Sequence, residues 1–152
     1  MGKLTREEGM ASGVMKVIVD VSVLRTVNTA EIHKKVWGQE TWIVNNDEYC
    51  GKLLDIDLGA MCSVHYHLAK HETFYCLSGR VLLMLWPGYD PAEGVHLTQY
   101  QYQTLLAGDS IEIPRGLPHS FKGMRRSRMI EFSTHHDDND SIRLTQSTKG
   151  GA

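Results

Sequence analysis

Chemistry in this chain starts with His65-Tyr66-His67, followed five residues later by Glu72. Side chains alternate faces along a strand, so His65 and His67 point the same way, about 7 Å apart. Two imidazoles at that spacing can grip one ion. Glu72 heads the next extended stretch after a short turn, where a carboxylate can reach the same ion and offset part of its charge. Imidazole with carboxylate suits zinc, iron, manganese or nickel better than calcium. His71 competes with Glu72 for that place, because alternation turns only one of two neighbours inward.

Other residues gather around this pattern. Lys70 lies in the turn between the ligand candidates and can bind a carboxylate, a phosphate or a sugar hydroxyl. If Glu72 faces inward, Phe74 and Cys76 share its face and line a floor beneath it. Glu131 sits between Ile130 and Phe132, on the opposite face from both. If that face is interior, Glu131 is a candidate general base. The cluster His135-His136-Asp137-Asp138 reads as a solvated loop rather than a second metal site. Cys50, Cys62 and Cys76 form no CxxC pair and read as free buried thiols.

The elements that must position these groups are short. The chain has 152 residues, 41% hydrophobic and 22% charged, with a net charge of -2. That suits one soluble domain, residues 1–152, with a core of its own. The balance lacks the basic excess of a nucleic-acid binder. No apolar run reaches a membrane span, and the N-terminus lacks the apolar stretch of a signal peptide. The chain is therefore expected to be cytoplasmic, with a small molecule as its partner.

Residues 1–13 and 145–152 have the composition of flexible tails, around a barrel core of about 36–135. Val14 to Val23 predicts a strand. Asn28-Thr-Ala-Glu31 looks like a capping signal for a short N-terminal helix through Lys35. From Trp42 onward the pattern predicts strands at Lys52–Leu58, Cys62–His67, Thr73–Leu77, Val81–Trp86, His96–Gln103, Ser110–Ile113, His119–Lys122 and Arg128–Ser133. Turns at Gly59, Gly79 and Gly108 separate several of them. Many short strands imply an all-β sandwich or barrel.

Two blocks of residues resemble the cupin motifs. Gly59 through Gly79 reads Gly, five residues, His-x-His, four residues, Glu, six residues, Gly. Gly108 through His119 reads Gly, five residues, Pro-x-Gly, two residues, His. Where the family's second motif usually ends in Asn, this chain has Gly123. The resemblance implies an antiparallel double-stranded jelly-roll barrel. It also implies one divalent metal (Mn, Fe, Zn or Ni) held by His65, His67, Glu72 and His119, with open positions for water or substrate. It favours Glu72 over His71. Cupins of this size often pair, so a homodimer is expected, with Val14–Val23 the strand that could extend a partner sheet.

The stretch from Glu131 to Leu144 is similar to the final segment of mannose-6-phosphate isomerase-like and related sugar-isomerase cupins, and is about two residues shorter. Trp37-Gly38, with Trp42, is similar to another part of that group. The likeness implies an anion-binding or structural role for Arg143. It also implies a metal-dependent isomerase acting on a sugar or sugar phosphate. There the metal stabilises an ene-diolate, Glu131 or Glu72 moves the proton, and Lys70 orients the substrate. A non-haem iron dioxygenase uses the same ligand set. A non-catalytic sugar-binding module is the third reading.

Overall fold

The computed structural model describes residues 30–151, together with a short antiparallel pairing of β1 (Thr5–Arg6) with β2 (Val17–Ile18). The rest of the expected Val14–Val23 strand lies outside the described residues, as do Asn28 and Thr29 of the expected helix cap. The part of that helix that is described, Glu31–Lys35, is instead a strand, β3. It pairs with β4 (Gly38–Asn45) through a tight turn at Val36-Trp37. Ile32 and His33 extend the ladder, and the gain from pairing with Thr41 and Glu40 outweighs a weak capping signal.

The remaining strands are β5 (Cys50–Ile56), β6 (His65–Tyr66), β7 (Glu72–Ser78), β8 (Arg80–Leu85), β9 (Gln101–Leu106), β10 (Ser110–Ile113), β11 (His119–Gly123), β12 (Ser127–Ser133) and β13 (Ile142–Arg143). They form a six-stranded sheet, β10-β7-β12-β5-β4-β3, and a five-stranded sheet, β13-β6-β11-β8-β9. Every pairing is antiparallel. This is the double-stranded jelly roll. Phe74, Cys76, Leu83, Ile113, Phe121 and Met129 fill the space between the sheets. Apolar side chains alternate inward along both faces, which fixes register wherever one face is buried.

Two expected strands differ. β9 starts at Gln101 rather than His96, because the His96 carbonyl accepts from Gln99 N and Trp86 Nε1 in a turn. Only Leu105 of β9 is buried, so its polar alternation gives little purchase on the register. β6 is also shorter than expected. The Ser63 and Val64 amides donate to Ser147 Oγ and Thr145 Oγ1 instead of to a ladder. Those partners belong to the expected C-terminal tail. It is not free of the barrel: Thr148 exchanges backbone hydrogen bonds with Met61, and the Gly150 Cα packs on the Leu58 carbonyl so closely that no Cβ would fit.

Gly79 carries the chain from one sheet to the other with φ +89°, and a Cβ there would lie 2.3 Å from Ser127 Oγ. Only glycine fits that crossing. The three cysteines are free and buried, as expected.

Candidate metal centre and substrate cavity

The register brings the site together from both sheets. In the five-stranded sheet, His65 stands opposite His119 on one side and Arg143 on the other. Directly opposed residues share a face, so all three point inward. The His65 and His119 rings lie 4.5 Å apart, and the His65 and His67 rings 5.2 Å. In the six-stranded sheet, Phe74, Glu131, Lys52 and Trp42 form one row across four strands. Glu72 lies beside it, opposite Ser133.

One ring nitrogen of each histidine is tied to the backbone. His65 Nδ1 donates to the Ser63 carbonyl at 2.8 Å, His119 Nδ1 to Leu117 at 2.9 Å and His67 Nδ1 to Asp140 at 3.2 Å. Those donors fix the tautomer and leave each Nε2 a bare lone pair. One ligating atom from each of the three histidines lies within 4.8 Å of the others. Glu72 Oε2 joins them, 3.1 Å from His119 Nε2 and 3.7 Å from His67 Nε2. His67 Nε2, His119 Nε2 and Glu72 Oε2 are buried without any hydrogen-bond partner. Buried acceptors pointing at one another are costly unless something positive sits among them. Three neutral nitrogens and one carboxylate fit a divalent cation.

His71 turns away, and its Nε2 meets Glu112 at 2.8 Å on the outside. Glu72, not His71, is turned to the histidines. Burial drives the His67 pKa down to about 4, and it also holds His65 well below the ordinary histidine value, with His119 beside it adding to the effect. Burial alone would raise the Glu72 carboxyl. The neighbouring His119 and Lys70 outweigh it and hold Glu72 well below the usual carboxylate range.

Lys70 is 3% exposed and has three acceptors for its three N–H bonds. They are Glu72 Oε1 at 2.5 Å, Glu131 Oε1 at 2.9 Å and His136 Nδ1 at 3.4 Å. Burial would lower its pKa, but the Glu131 and Glu72 carboxylates hold it well above the ordinary lysine value. All three of its donors are thus met by side chains of the protein.

A cavity of about 270 Å³ opens beside the histidines. His65, His67, Lys70, Glu72, Glu131, Phe74 and Arg143 line it. Cys76 does not. It shares the Glu72 face as expected, but lies deeper, in the apolar core. Both hydrogen bonds that Glu131 accepts, from Lys70 and Ser133, go to Oε1. Arg143 is exposed, and no carboxylate among the described residues lies within ion-pair reach of it.

Sequence reasoning missed several lining residues. Lys52 and Glu40 face the cavity from β5 and β4. The His135-His136 pair splits. His135 is exposed and bonds the Asn46 carbonyl, while His136 is 9% exposed and packs edge-on against Trp42. Its Nε2 meets Asp138 at 3.1 Å. Burial lowers its pKa. The acidic run is not simply solvated either. Asp137 caps the 3-10 turn Asp138–Asp140, and the Asp140 carboxylate accepts from the Leu68, Ala69 and Lys70 amides.

A barrel of this topology with a three-histidine, one-carboxylate cluster at its mouth defines a cupin-type site. The family model described as Cupin matches residues 25–150, and the chain belongs to the cupin family. The D-lyxose/D-mannose isomerase of Thermosediminibacter oceani is 31% identical over 114 residues, which cover 65% of this chain and 63% of that protein. Two solved structures share the fold. KdgF from Halomonas sp. matches with a TM-score of 0.54 at 17% identity, over 66% of this chain and 81% of that one. The capsular polysaccharide assembling protein CapF of Staphylococcus aureus matches with a TM-score of 0.62 at 17% identity, over 78% of this chain and 33% of that one. Among the described residues no helix is long and apolar enough to cross a membrane.

Proposed function

We propose that this cupin is a metal-dependent sugar isomerase that moves a proton between neighbouring carbons of an aldose or ketose. The observation that carries the reading is the placement of Glu131. It is a buried carboxylate clamped through Oε1 by Lys70, in the wall of the cavity that the histidines share. Likeness to a D-lyxose/D-mannose isomerase supports the same reaction class.

His65, His67, Glu72 and His119 would hold one divalent ion, which as a Lewis acid would polarise a sugar carbonyl oxygen and favour the ene-diolate. Glu131 Oε2, free of the Lys70 bond, takes the carbon-bound proton and returns it to the adjacent carbon, while the hydroxyl proton passes to the former carbonyl oxygen, so that no net proton is gained or lost. Lys70 keeps Glu131 and Glu72 in fixed orientation, so neither reorganises during the transfer. Phe74 adds a buried apolar face to the cavity lining. Cys76 lies outside the cavity, whose apolar lining comes from Trp37, Leu54, Phe74 and Phe121. The choice among Mn, Fe, Zn and Ni follows weakly from ligand type.

The test is incubation of metal-loaded protein with a panel of free sugars and sugar phosphates in deuterated water. Deuterium should enter at the carbon beside the carbonyl of one of them, and Glu131→Gln should abolish the exchange. Absence of exchange with every sugar would overturn the reading.

A further inference from the structure

Lys52 is 1% exposed, yet its ammonium makes no hydrogen bond to the described residues. Its Nζ stands 3.8 Å from Glu40 Oε2 and 3.8 Å from Glu131 Oε1, and 4.4 Å from the centre of the Trp42 ring. Lys70, which approaches the same Glu131 oxygen, uses all three of its donors. A buried ammonium left with empty donors is costly unless something else fills them. The ring of Trp42 offsets part of the charge but accepts no hydrogen bond in line. Lys52 lines the cavity, so its donors are open to a ligand there.

We propose that Lys52, Glu40 and Glu131 form a subsite in the cavity wall for neighbouring hydroxyl groups of an uncharged polyol. A hydroxyl oxygen at about 2.8 Å from each side bridges a 3.8 Å gap between an ammonium and a carboxylate. It accepts from Nζ and donates its own proton to the carboxylate oxygen. Two such gaps share one ammonium, so two hydroxyls on adjacent carbons match them. An anion fits less well. A phosphate or carboxylate reaching Lys52 would bring its own negative charge against Glu40 and Glu131 on either side. Glu40 is fixed for this role, since Trp42 Nε1 donates to its Oε2 at 2.7 Å and Lys35 lies 3.6 Å from the same atom. Burial would raise the Glu40 carboxyl. Lys52 and the Trp42 bond outweigh it and keep it below the usual range.

The subsite rests on the sugar reading of the cavity, and its test uses binding rather than turnover. Unreactive sugar alcohols of five and six carbons are titrated into metal-loaded protein by calorimetry, beside inorganic phosphate. At least one sugar alcohol should bind. Lys52→Met should weaken it roughly ten- to hundred-fold with metal affinity unchanged. Glu40→Gln should weaken it as well, and reports on the subsite should Lys52→Met fail to fold. Inorganic phosphate should not compete. Sugar-alcohol binding that is indifferent to both substitutions overturns the subsite, as does phosphate competition that Lys52→Met removes. Lys52-dependent binding without deuterium exchange into any sugar leaves the subsite standing and removes only the isomerase reading.

Discussion

Lys70 Nζ binds Glu72 at Oε1, 2.5 Å away, and so turns the other carboxylate oxygen, Oε2, toward His119 and His67. One lysine thus decides which oxygen of the fourth ligand candidate is presented. It also separates Glu72 from Glu131, two buried carboxylates that would otherwise face each other. Lys70→Met leaves both without their shared cation. Removing one partner of a buried ionic cluster costs about 3–5 kcal/mol. The metal-free variant should lose stability of that order in urea denaturation, and its loss should exceed that of an exposed lysine such as Lys149.

The unpartnered Nε2 and Oε2 atoms predict metal-dependent stability. A ligand that binds only the folded chain stabilises it by about 2.7 kcal/mol at a hundredfold excess over Kd. Adding Mn, Fe, Zn or Ni salts to stripped protein should therefore raise Tm. His119→Gln should remove most of that rise, while His71→Gln should keep it, because His71 faces Glu112 on the outside. Equal loss from both substitutions would mean that the ion is held elsewhere.

The His65 and His67 pair was legible in the sequence from strand alternation, whereas His119 came from the resemblance to the second cupin motif. His65 and His67 are two apart, and the pairing of β11 with β6 then brings His119 to His65. The polar cavity wall was less legible. Lys52 is in phase with Leu54 and Ile56, both buried, so alternation alone puts it on the inner face. That signal was present, but a lysine on a core face reads against ordinary preference. Its partners come from sheet neighbours far away in sequence: Glu131 from β12 and Trp42 from β4. His136 had no periodic signal, since it lies in a loop whose path is set by Asn45, which accepts from its amide and donates to its carbonyl. The expected N-terminal helix failed where a five-residue segment met a sheet edge, and residues 145–148 are held against the barrel because their polar side chains meet the Ser63 and Val64 amides just before β6.

The metal-free protein should lose stability as pH falls from about 6.5 to about 4. His67 has its pKa lowered from the ordinary 6.5 to about 4, and His65 is also lowered. Below 6.5 the unfolded chain takes up a proton that the folded chain refuses, so protonation favours unfolding. The slope ends once pH drops below the folded value. His67 alone accounts for about 3 kcal/mol across that window. Glu72 acts in the same direction further down: its stabilisation is full above the ordinary glutamate range and is lost as pH falls through its depressed folded value. Urea midpoints measured from pH 7.5 to 4 check this. A His67→Gln protein should show a shallower fall over the same range.

Asp140 ties the ligand turn to the chain end. Its carboxylate accepts from the amides of Leu68, Ala69 and Lys70, and its own carbonyl accepts from His67 Nδ1. Burial would raise its pKa, but those three amides outweigh it and hold it below the usual range. Its carboxylate also stands 3.8 Å from His67 Nδ1, so Asp140 acts on His67 both directly and through the turn that carries His67 and Lys70. Asp140→Ala frees three amides at a mostly exposed turn, where water can replace the bonds. The fold should survive, but His67 and Lys70 lose their fixed placement. Partners that orient metal-binding histidines are worth about ten- to hundredfold in affinity. Calorimetric metal titration of Asp140→Ala should show a loss of that size, with faster amide exchange confined to Leu68, Ala69 and Lys70. Asp140→Asn keeps an acceptor oxygen without the charge and should recover part of the affinity. Unchanged metal affinity in the alanine variant would show that the turn holds its shape without the carboxylate.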